Sequence, residues 1–177
     1  METAVIHKNP LIDRCLKGDA KAQFELYKKY YKAMFNTSLR ILNDRFEAED
    51  VMQDAFLAAF TKLESYSGTV SFGAWLKRIV INKSLTALKK NNRLETIPLE
   101  LAKQVNSAPE ISAPQGLEPT TILARMQQLK PTYKIALTLH LIEGYDAKEI
   151  AQIMDVSYEN SRTIISRAKN KLRTLLS

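Results

Sequence analysis

The spacing of apolar residues along the chain predicts helices almost everywhere. Apolar positions recur every three or four residues in most segments, and no segment alternates apolar and polar residues with a period of two. Glycine and proline, which interrupt helices, are scarce outside one zone. We therefore predict an all-α protein.

The first long helix is predicted to begin at Gly18-Asp19 and to end at Asn43-Asp44. Its apolar stripe is typical of a core-facing surface rather than of a cofactor site. The stripe comprises Phe24, Tyr27, Tyr31, Met34 and Phe35.

The next helix, at about residues 47–63, has two contrasting faces. The apolar face comprises Ala48, Met52, Ala55, Phe56, Ala59 and Leu63. The opposite face comprises Glu47, Asp50, Asp54, Leu57 and Thr61. An acidic stripe of this kind is either a solvated surface or a docking strip for a basic partner, with Leu57 as an apolar contact. A carboxylate metal site is a third interpretation, but no histidine supports it.

A loop and a basic helix follow. Residues 64–71 contain Gly68 and several hydroxyls, and a helix is predicted to start at Phe72. The side chains expected to pack inward are Phe72, Trp75, Leu76, Ile79 and Val80. The polar and basic positions around the rest are Lys77, Arg78, Asn82, Lys83, Thr86, Lys89, Lys90 and Arg93. An aromatic-bearing loop before a basic helix suits single-stranded or partly opened nucleic acid. The alternative is that the lysines only keep the protein soluble.

Residues 96–119 differ in character, since they hold four of the six prolines. This composition predicts a flexible linker between two helical domains, residues 1–95 and residues 120–177. Helices are predicted at residues 120–129 and 133–143, the second closed by Gly144.

Residues 145–173 have the pattern of a helix-turn-helix. Asp146 and Glu149 have the spacing of a capping box, and Asp155-Val156-Ser157 interrupts the apolar pattern. The first helix is expected to bury Ala147, Ile150, Ala151 and Met154. The second is expected to bury Ser161, Ile165, Ala168 and Leu172, and to turn Glu159, Arg162, Thr163 and Ser166 outward. Such a second helix reads base edges in a major groove. An ordinary helical hairpin with a solvated charged face is the alternative.

Charge narrows the choice of partner. Lys and Arg exceed Asp and Glu by 26 to 19, which gives a net charge of +7 and favours an anionic partner. Six basic residues lie within residues 77–93 and five within residues 157–177, whereas five acids lie within residues 44–54. One surface therefore attracts something negative and another something positive.

Cysteine and histidine usage adds further expectations. Cys15 is the single cysteine, so no internal disulfide is possible and a reducing, cytoplasmic setting is expected. The first ten residues lack the apolar core of a signal peptide, and no run is long enough to insert into a membrane. His7 and His140 lack partners at ligand spacing, so we expect no metal and no cofactor.

Four stretches in a fixed order resemble the extracytoplasmic-function (ECF) sigma factors of bacterial RNA polymerase. They are EAEDVMQDAFLAAF at residues 47–60, FGAWLKRIVIN at residues 72–82, LKPTYKIALTLHLIEGYDAKEIAQIMDVS at residues 129–157 and ISRAKNKLR at residues 165–173. The Pro-rich linker separates the first two from the last two. The resemblance covers residues 11–93 and 121–175, which is nearly the whole chain.

The resemblance implies a function for each domain. In the family, the N-terminal domain (sigma region 2) binds the clamp of core RNA polymerase and opens the −10 element of promoter DNA. The C-terminal domain (sigma region 4) contacts the polymerase flap and reads the −35 element. The family does no covalent chemistry of its own, so the resemblance implies a protein that is not an enzyme.

The resemblance implies a binding role for individual residues that match the family's motifs by position. Asp50, Gln53 and Asp54 match the residues that bind polymerase, and Leu57 is expected to join them as the apolar contact of the acidic stripe. The −10 residues are Ser65, Tyr66, Lys77, Arg78, Asn82, Lys83, Lys89 and Lys90, with residues 65–71 as the loop that captures a flipped base. The −35 residues are Glu159, Asn160, Arg162, Thr163, Ser166, Arg167 and Lys169. An anti-sigma partner, often membrane-anchored, is also expected.

The chain departs from the family at three positions. Ile164 replaces a residue that is basic in many relatives, so one contact with DNA is expected to be missing. Thr86 and Ala87 replace residues that are often acidic and basic. No region 1, region 3 or fused C-terminal sensor is expected.

Two rival functions remain open at this point. A stand-alone helix-turn-helix regulator would bind duplex DNA without polymerase. A metal-dependent nuclease would use Glu47, Glu49, Asp50 and Asp54. Neither explains the acidic stripe, the basic helix and the linker together.

Overall fold

The computed structural model describes residues 9–91, 93–94 and 118–177. The α-helices in these ranges are α1 Pro10–Leu16, α2 Ala20–Leu42, α3 Arg45–Thr61, α4 Phe72–Lys90, α5 Pro119–Met126, α6 Pro131–Leu137, α7 Ala147–Met154 and α8 Tyr158–Leu176. A short 3₁₀ turn, Leu63–Ser65, follows α3, and α6 continues as a π-helical turn, Thr138–Ile142. The prediction of an all-α protein is confirmed.

The chain divides into two compact units, Met1–Lys90 and Asn91–Ser177, hereafter unit 1 and unit 2. Each unit has a hydrophobic cluster built from its own residues. The predicted fold of two helical domains is therefore confirmed. The predicted linker lies outside the described residues except for Glu118 and Pro119, and Pro119 is the first residue of α5.

Polar side chains fix the ends of the long helices in unit 1. The side chain of Asp19 caps α2 by accepting from the backbone N–H groups of Lys21 and Ala22, and Asp44 caps α3 by accepting from Glu47 N. Asn43 ends α2 in the left-handed conformation, with φ of 55°. With these ends fixed, α2, α3 and α4 pack pairwise around one core.

One predicted core residue of α2 is wrong. Phe24 is 59% exposed, whereas Ala22 and Leu26 on either side of it are fully buried. Two residues along a helix turn a side chain by about 200°, so Phe24 points away from the core that Ala22 and Leu26 face. The apolar stripe of α2 is therefore wider than its buried face.

The helix α1 was not predicted from the sequence. Asn9 caps it, Pro10 occupies its first position, and Ile12 and Cys15 pack into the core of unit 1. The helix has seven residues, which is too short for apolar periodicity to identify it.

Candidate docking strip and nucleic-acid interfaces

The helix α3 has the two faces that its sequence predicts. Ala48, Met52, Ala55, Phe56 and Ala59 are buried against the rest of unit 1. On the opposite face Asp50, Gln53, Asp54 and Leu57 are exposed, and these four residues are hereafter the docking strip. The structure thus brings together all four residues that were predicted to bind a protein partner.

The docking strip combines negative charge with an apolar contact. In the part of the chain that the structure describes, neither Asp50 nor Asp54 forms an ion pair. Leu57 is 66% exposed and lies one turn beyond Asp54. Two unpaired carboxylates followed by an exposed leucine suit a basic surface that also carries an apolar side chain.

Sequence reasoning missed two aromatic residues beside the docking strip. Phe46 is 80% exposed and precedes Asp50 by four residues, so it extends the strip at its N-terminal end. Phe24 lines a groove of about 430 Å³ between α2 and α3, which also includes Leu57 and Phe60. The sequence pattern misses Phe46 because the predicted helix starts one residue after it. It misses Phe24 because the apolar stripe of α2 places that residue in the core.

The loop between α3 and α4 is closed by its own hydrogen bonds. The Tyr66 hydroxyl donates to the Val70 carbonyl at 2.6 Å, and Ser65 Oγ donates to the Lys62 carbonyl at 2.6 Å. Ser71 Oγ accepts from the backbone N–H of Ala74 in the first turn of α4. The loop is therefore held as a compact shape rather than spread over the surface.

An aromatic cluster anchors this loop to α4. The ring of Tyr66 meets Phe72 edge-on with centroids 5.8 Å apart, and its centroid lies 5.3 Å from that of Trp75. Burial, with a smaller contribution from Tyr30, raises the pKa of Tyr66, so its phenol stays protonated and keeps its role as donor. Trp75, which was predicted to lie in the core, is half-buried at the edge of it.

The basic residues of α4 do not all share one environment. Asn82, Lys89 and Lys90 are exposed, whereas Lys77, Arg78 and Lys83 are half-buried. Lys77 and Arg78 already make interactions within the protein. The fully exposed candidates for phosphate contact therefore lie in the second half of α4, and Asn82 lies at its middle.

The helix-turn-helix in unit 2 has the predicted local geometry. Asp146 Oδ1 accepts from Glu149 N at 2.8 Å, and the Glu149 carboxylate accepts from Asp146 N at 2.9 Å, which completes the predicted capping box. Ser157 caps α8 as predicted. Asp155 makes the turn in the left-handed conformation, with φ of 57°. Ser161 Oγ donates to the Ala147 carbonyl and ties α8 to the start of α7.

Two predicted DNA-facing residues of α8 are misplaced. Thr163 is 3% exposed and donates to the Glu159 carbonyl within its own helix. Asn160 is 4% exposed, and its buried Oδ1 has no hydrogen-bond partner. The outward orientation predicted for Thr163, and a surface position for Asn160, are therefore wrong.

The remaining candidates on α8 are accessible to different degrees. Glu159, Arg162 and Ser166 are exposed, and Arg167 and Lys169 are half-buried. The guanidinium of Arg162 lies 5.8 Å from the centroid of the Tyr158 ring. Exposed polar and basic side chains near the start of the second helix are the arrangement that reads base edges in a major groove.

Ile164, where many relatives carry a basic residue, faces the interior of unit 2 rather than DNA. Ile164 is buried in the core of unit 2. A side chain at this position faces the interior, so isoleucine stabilises the packing of α8 there.

The described residues offer neither a metal site nor a membrane span. Within residues 9–91, 93–94 and 118–177, no three His, Cys, Asp or Glu side chains lie close enough together to hold a metal ion. Among the helices in these ranges, none has both the length and the apolar character that a membrane span requires.

Comparison with known families finds two matches in order along the chain. The profile of Sigma-70 region 2 matches residues 26–94, and that of Sigma-70, region 4 matches residues 120–172. The two profiles fall on unit 1 and unit 2 respectively, apart from the four residues 91–94.

Curated relatives match over almost the full length. The ECF RNA polymerase sigma-E factor of Escherichia coli (strain K12) is 30% identical, over 94% of this chain and 94% of that protein. The RNA polymerase sigma-H factor of Pseudomonas aeruginosa is 28% identical, over 92% of this chain and 90% of that protein. The ECF RNA polymerase sigma factor SigM of Bacillus subtilis (strain 168) is 26% identical, over 85% of this chain and 93% of that protein.

Solved structures share the fold. CnrH in complex with the cytosolic domain of CnrY is similar with a TM-score of 0.56 at 21% identity, over 94% of each chain. The sigma factor RpoE in complex with the anti-sigma factor NepR from Bartonella quintana has a TM-score of 0.59 at 20% identity, over 86% of this chain and 94% of that one.

Proposed function

This chain belongs to the ECF sigma factors of RNA polymerase, and from that premise we propose which of its surfaces perform each part of promoter recognition. As a sigma factor it binds core RNA polymerase and directs the enzyme to promoters for transcription initiation. The observation that carries the assignment is that both sigma regions match, in order, over the two units of the chain.

The docking strip of unit 1 binds the clamp of core polymerase in this proposal. Its support is the exposure of all four strip residues, together with the absence of an ion pair at Asp50 or Asp54 among the described residues. Carboxylates without an internal partner lose no ion pair on binding, so a basic partner gains their full attraction. Leu57 supplies an apolar contact at the end of the strip.

The loop at residues 65–71 and the outer face of α4 act on the −10 element. Flipping a base out of the duplex costs a few kcal/mol. A loop that is already closed by hydrogen bonds loses little conformational entropy when it captures that base. Asn82, Lys89 and Lys90 are exposed along the helix that follows, where they can meet the backbone of the opened strand.

The start of α8 reads the −35 element. Arg162 is the candidate with the strongest support, since it is exposed near the N-terminus of the second helix. Glu159 lies three residues before Arg162 and Ser166 lies four residues after it, so all three share one side of α8. Asn160 and Thr163 contribute by packing α8 rather than by meeting bases.

We also propose an anti-sigma partner and action in the cytoplasm. The similar structure of RpoE from Bartonella quintana is a complex with the anti-sigma factor NepR, and that of CnrH is a complex with the cytosolic domain of CnrY. A protein that covers the docking strip would compete with polymerase for the same carboxylates.

The first test measures binding to core polymerase. We expect Asp50→Ala combined with Asp54→Ala to weaken binding by at least tenfold, since close charge pairs at protein interfaces contribute about 1.5 kcal/mol or more each. Asp13→Ala combined with Glu64→Ala is the matched control, because it removes two exposed carboxylates that are not part of the docking strip. Equal affinity of both double variants in a pull-down with core enzyme would reject the docking strip.

The second test measures promoter recognition. We expect Arg162→Ala to reduce run-off transcription from a −35-dependent promoter, by about tenfold if Arg162 makes one good contact with a base. Lys171→Ala removes an equal charge from another side of α8 and should change the yield little. The same transcript yield from wild type and Arg162→Ala would contradict the proposal.

A further inference from the structure

His140 joins three parts of unit 2 by two hydrogen bonds. It lies in the π-helical turn that ends α6, and its Nδ1 is 3.1 Å from the carbonyl oxygen of Tyr145, just before α7. Its Nε2 is 3.1 Å from the Nζ of Lys169 on α8. One half-buried imidazole therefore connects α6, the entry to the helix-turn-helix and the second helix of that motif.

The two partners fix the protonation state of the imidazole. An ammonium group can only donate, so Nε2 of His140 must accept from Lys169. A carbonyl oxygen can only accept, so Nδ1 must carry the proton that is donated to Tyr145. His140 is therefore neutral in this arrangement, with its proton on Nδ1.

Lys169 lies on the side of α8 that faces DNA in the proposed function. It follows Arg162 by seven residues and Ser166 by three, a spacing that places the three side chains along one stripe of the helix. Arg162 and Ser166 are exposed, and Lys169 is half-buried at the edge of the stripe. Its ammonium uses one donor on His140, and an ammonium has three donors in all.

We propose that His140 is a positioning residue that holds the Lys169 ammonium ready for a phosphate of the −35 duplex. This inference rests on the proposed function of α8. A free lysine side chain loses rotamer entropy when it is ordered at an interface, and that loss weakens binding. Because His140 orders the side chain before DNA arrives, part of this cost is removed from the binding step.

The experiment measures the affinity of the full chain, assembled with core polymerase, for a duplex with a −35 element. Lys169→Ala should reduce the slope of log affinity against log salt by about 0.9, the value for one phosphate contact. Lys171→Ala is the matched control, since it removes the same charge about 200° around the helix and should leave the slope nearly unchanged.

Substitutions of His140 separate positioning from simple packing. His140→Phe keeps a planar ring but removes both hydrogen bonds, and we expect a loss of affinity of about threefold to tenfold without a change in the salt slope. His140→Gln retains an acceptor for the ammonium and should recover most of the affinity. In a Lys169→Ala background, His140→Phe should have no further effect.

Three results would overturn the inference. The first is an equal loss of affinity from His140→Phe in the wild-type and the Lys169→Ala backgrounds. The second is an affinity of His140→Phe equal to that of wild type. The third is a proton on Nε2 of His140 in long-range ¹H–¹⁵N spectra of the native chain, a measurement that stands even if His140→Phe does not fold. Wild-type holoenzyme that does not prefer the −35 duplex to a scrambled one would instead contradict the proposed function.

Discussion

The carboxylate of Asp19 has two tasks at the start of α2. Its Oδ1 accepts from two backbone N–H groups of the helix, and its Oδ2 lies 2.8 Å from the Arg14 guanidinium. The hydrogen bond from Arg14, and next the one from the backbone of Ala22, lower the pKa of Asp19 below its usual value. A lowered pKa in the folded state means that the charged carboxylate stabilises unit 1, and that this contribution is lost as the pH falls through the folded-state pKa.

Asp19→Asn tests this dependence on pH. Asparagine keeps the N-cap acceptor but has no charge for Arg14 and does not titrate. We expect the variant to melt below wild type near neutral pH. The difference should shrink as the pH falls from the usual range of an aspartate through the lowered pKa of Asp19 in the folded state. Circular dichroism melts at a series of pH values measure the difference. Asp13→Asn serves as the control, and a gap that stays constant across the series would contradict the prediction.

Single buried polar residues are where the sequence pattern misleads. Thr163 is polar and was assigned to the surface, but its hydroxyl is satisfied by the Glu159 carbonyl one turn earlier, so it is tolerated inside. Asn160 is buried although its Oδ1 lacks a partner. The spacing of apolar residues carries no information about hydrogen bonds within the helix itself.

At the scale of helices, Gly73 of α4 lies close to Tyr30 of α2. A Cβ atom on Gly73 would lie 2.8 Å from Cε1 of Tyr30, which is closer than a normal contact. The Tyr30 ring packs against Phe72, with centroids 5.5 Å apart, so it has little freedom to move away. The absence of a side chain at Gly73 therefore allows these two helices to pack.

The effect of Gly73→Ala on the free energy of unfolding should change sign when the Tyr30 side chain is removed. In the wild-type background, overpacking costs about 1–3 kcal/mol and outweighs the gain of about 1 kcal/mol in helix propensity, so the free energy of unfolding should fall. In a Tyr30→Ala background the clash is absent, and Gly73→Ala should raise the free energy of unfolding. Urea denaturation of the four proteins measures both effects. A fall of the same size in both backgrounds would exclude the Tyr30 contact as the cause.

Most helices could be predicted from the sequence because their ends carry chemical signals. The capping pair Asp146 and Glu149 and the two faces of α3 were both visible as spacing, and both are present in the structure. The π-helical turn at Thr138–Ile142 was not predictable. Its hydrogen bonds shift from the fourth to the fifth residue without any residue type that marks the change.

At the scale of the whole molecule, each unit has a buried cluster of its own among the described residues. Leu76 is fully buried in the cluster of unit 1, and Leu137 is fully buried in that of unit 2. Each cluster is composed of side chains from one unit. Damage to one core should therefore remain in its own unit.

Leu76→Ala and Leu137→Ala test this independence. Each should destabilise its own unit by about 2–5 kcal/mol through the cavity that it leaves. Hydrogen exchange of the full chain should show lost protection in one unit and unchanged protection in the other. If either substitution also lowers protection across the second unit, the two cores are coupled.

Cys15 lies in the core of unit 1 near the end of α1, and burial raises the pKa of its thiol. Alkylating reagents attack the thiolate, so native protein should resist them until the first helix detaches and exposes the sulfur. Because the chain has one cysteine, the modified fraction reports that event without an engineered label. The rate of alkylation therefore measures how often α1 detaches from the core of unit 1.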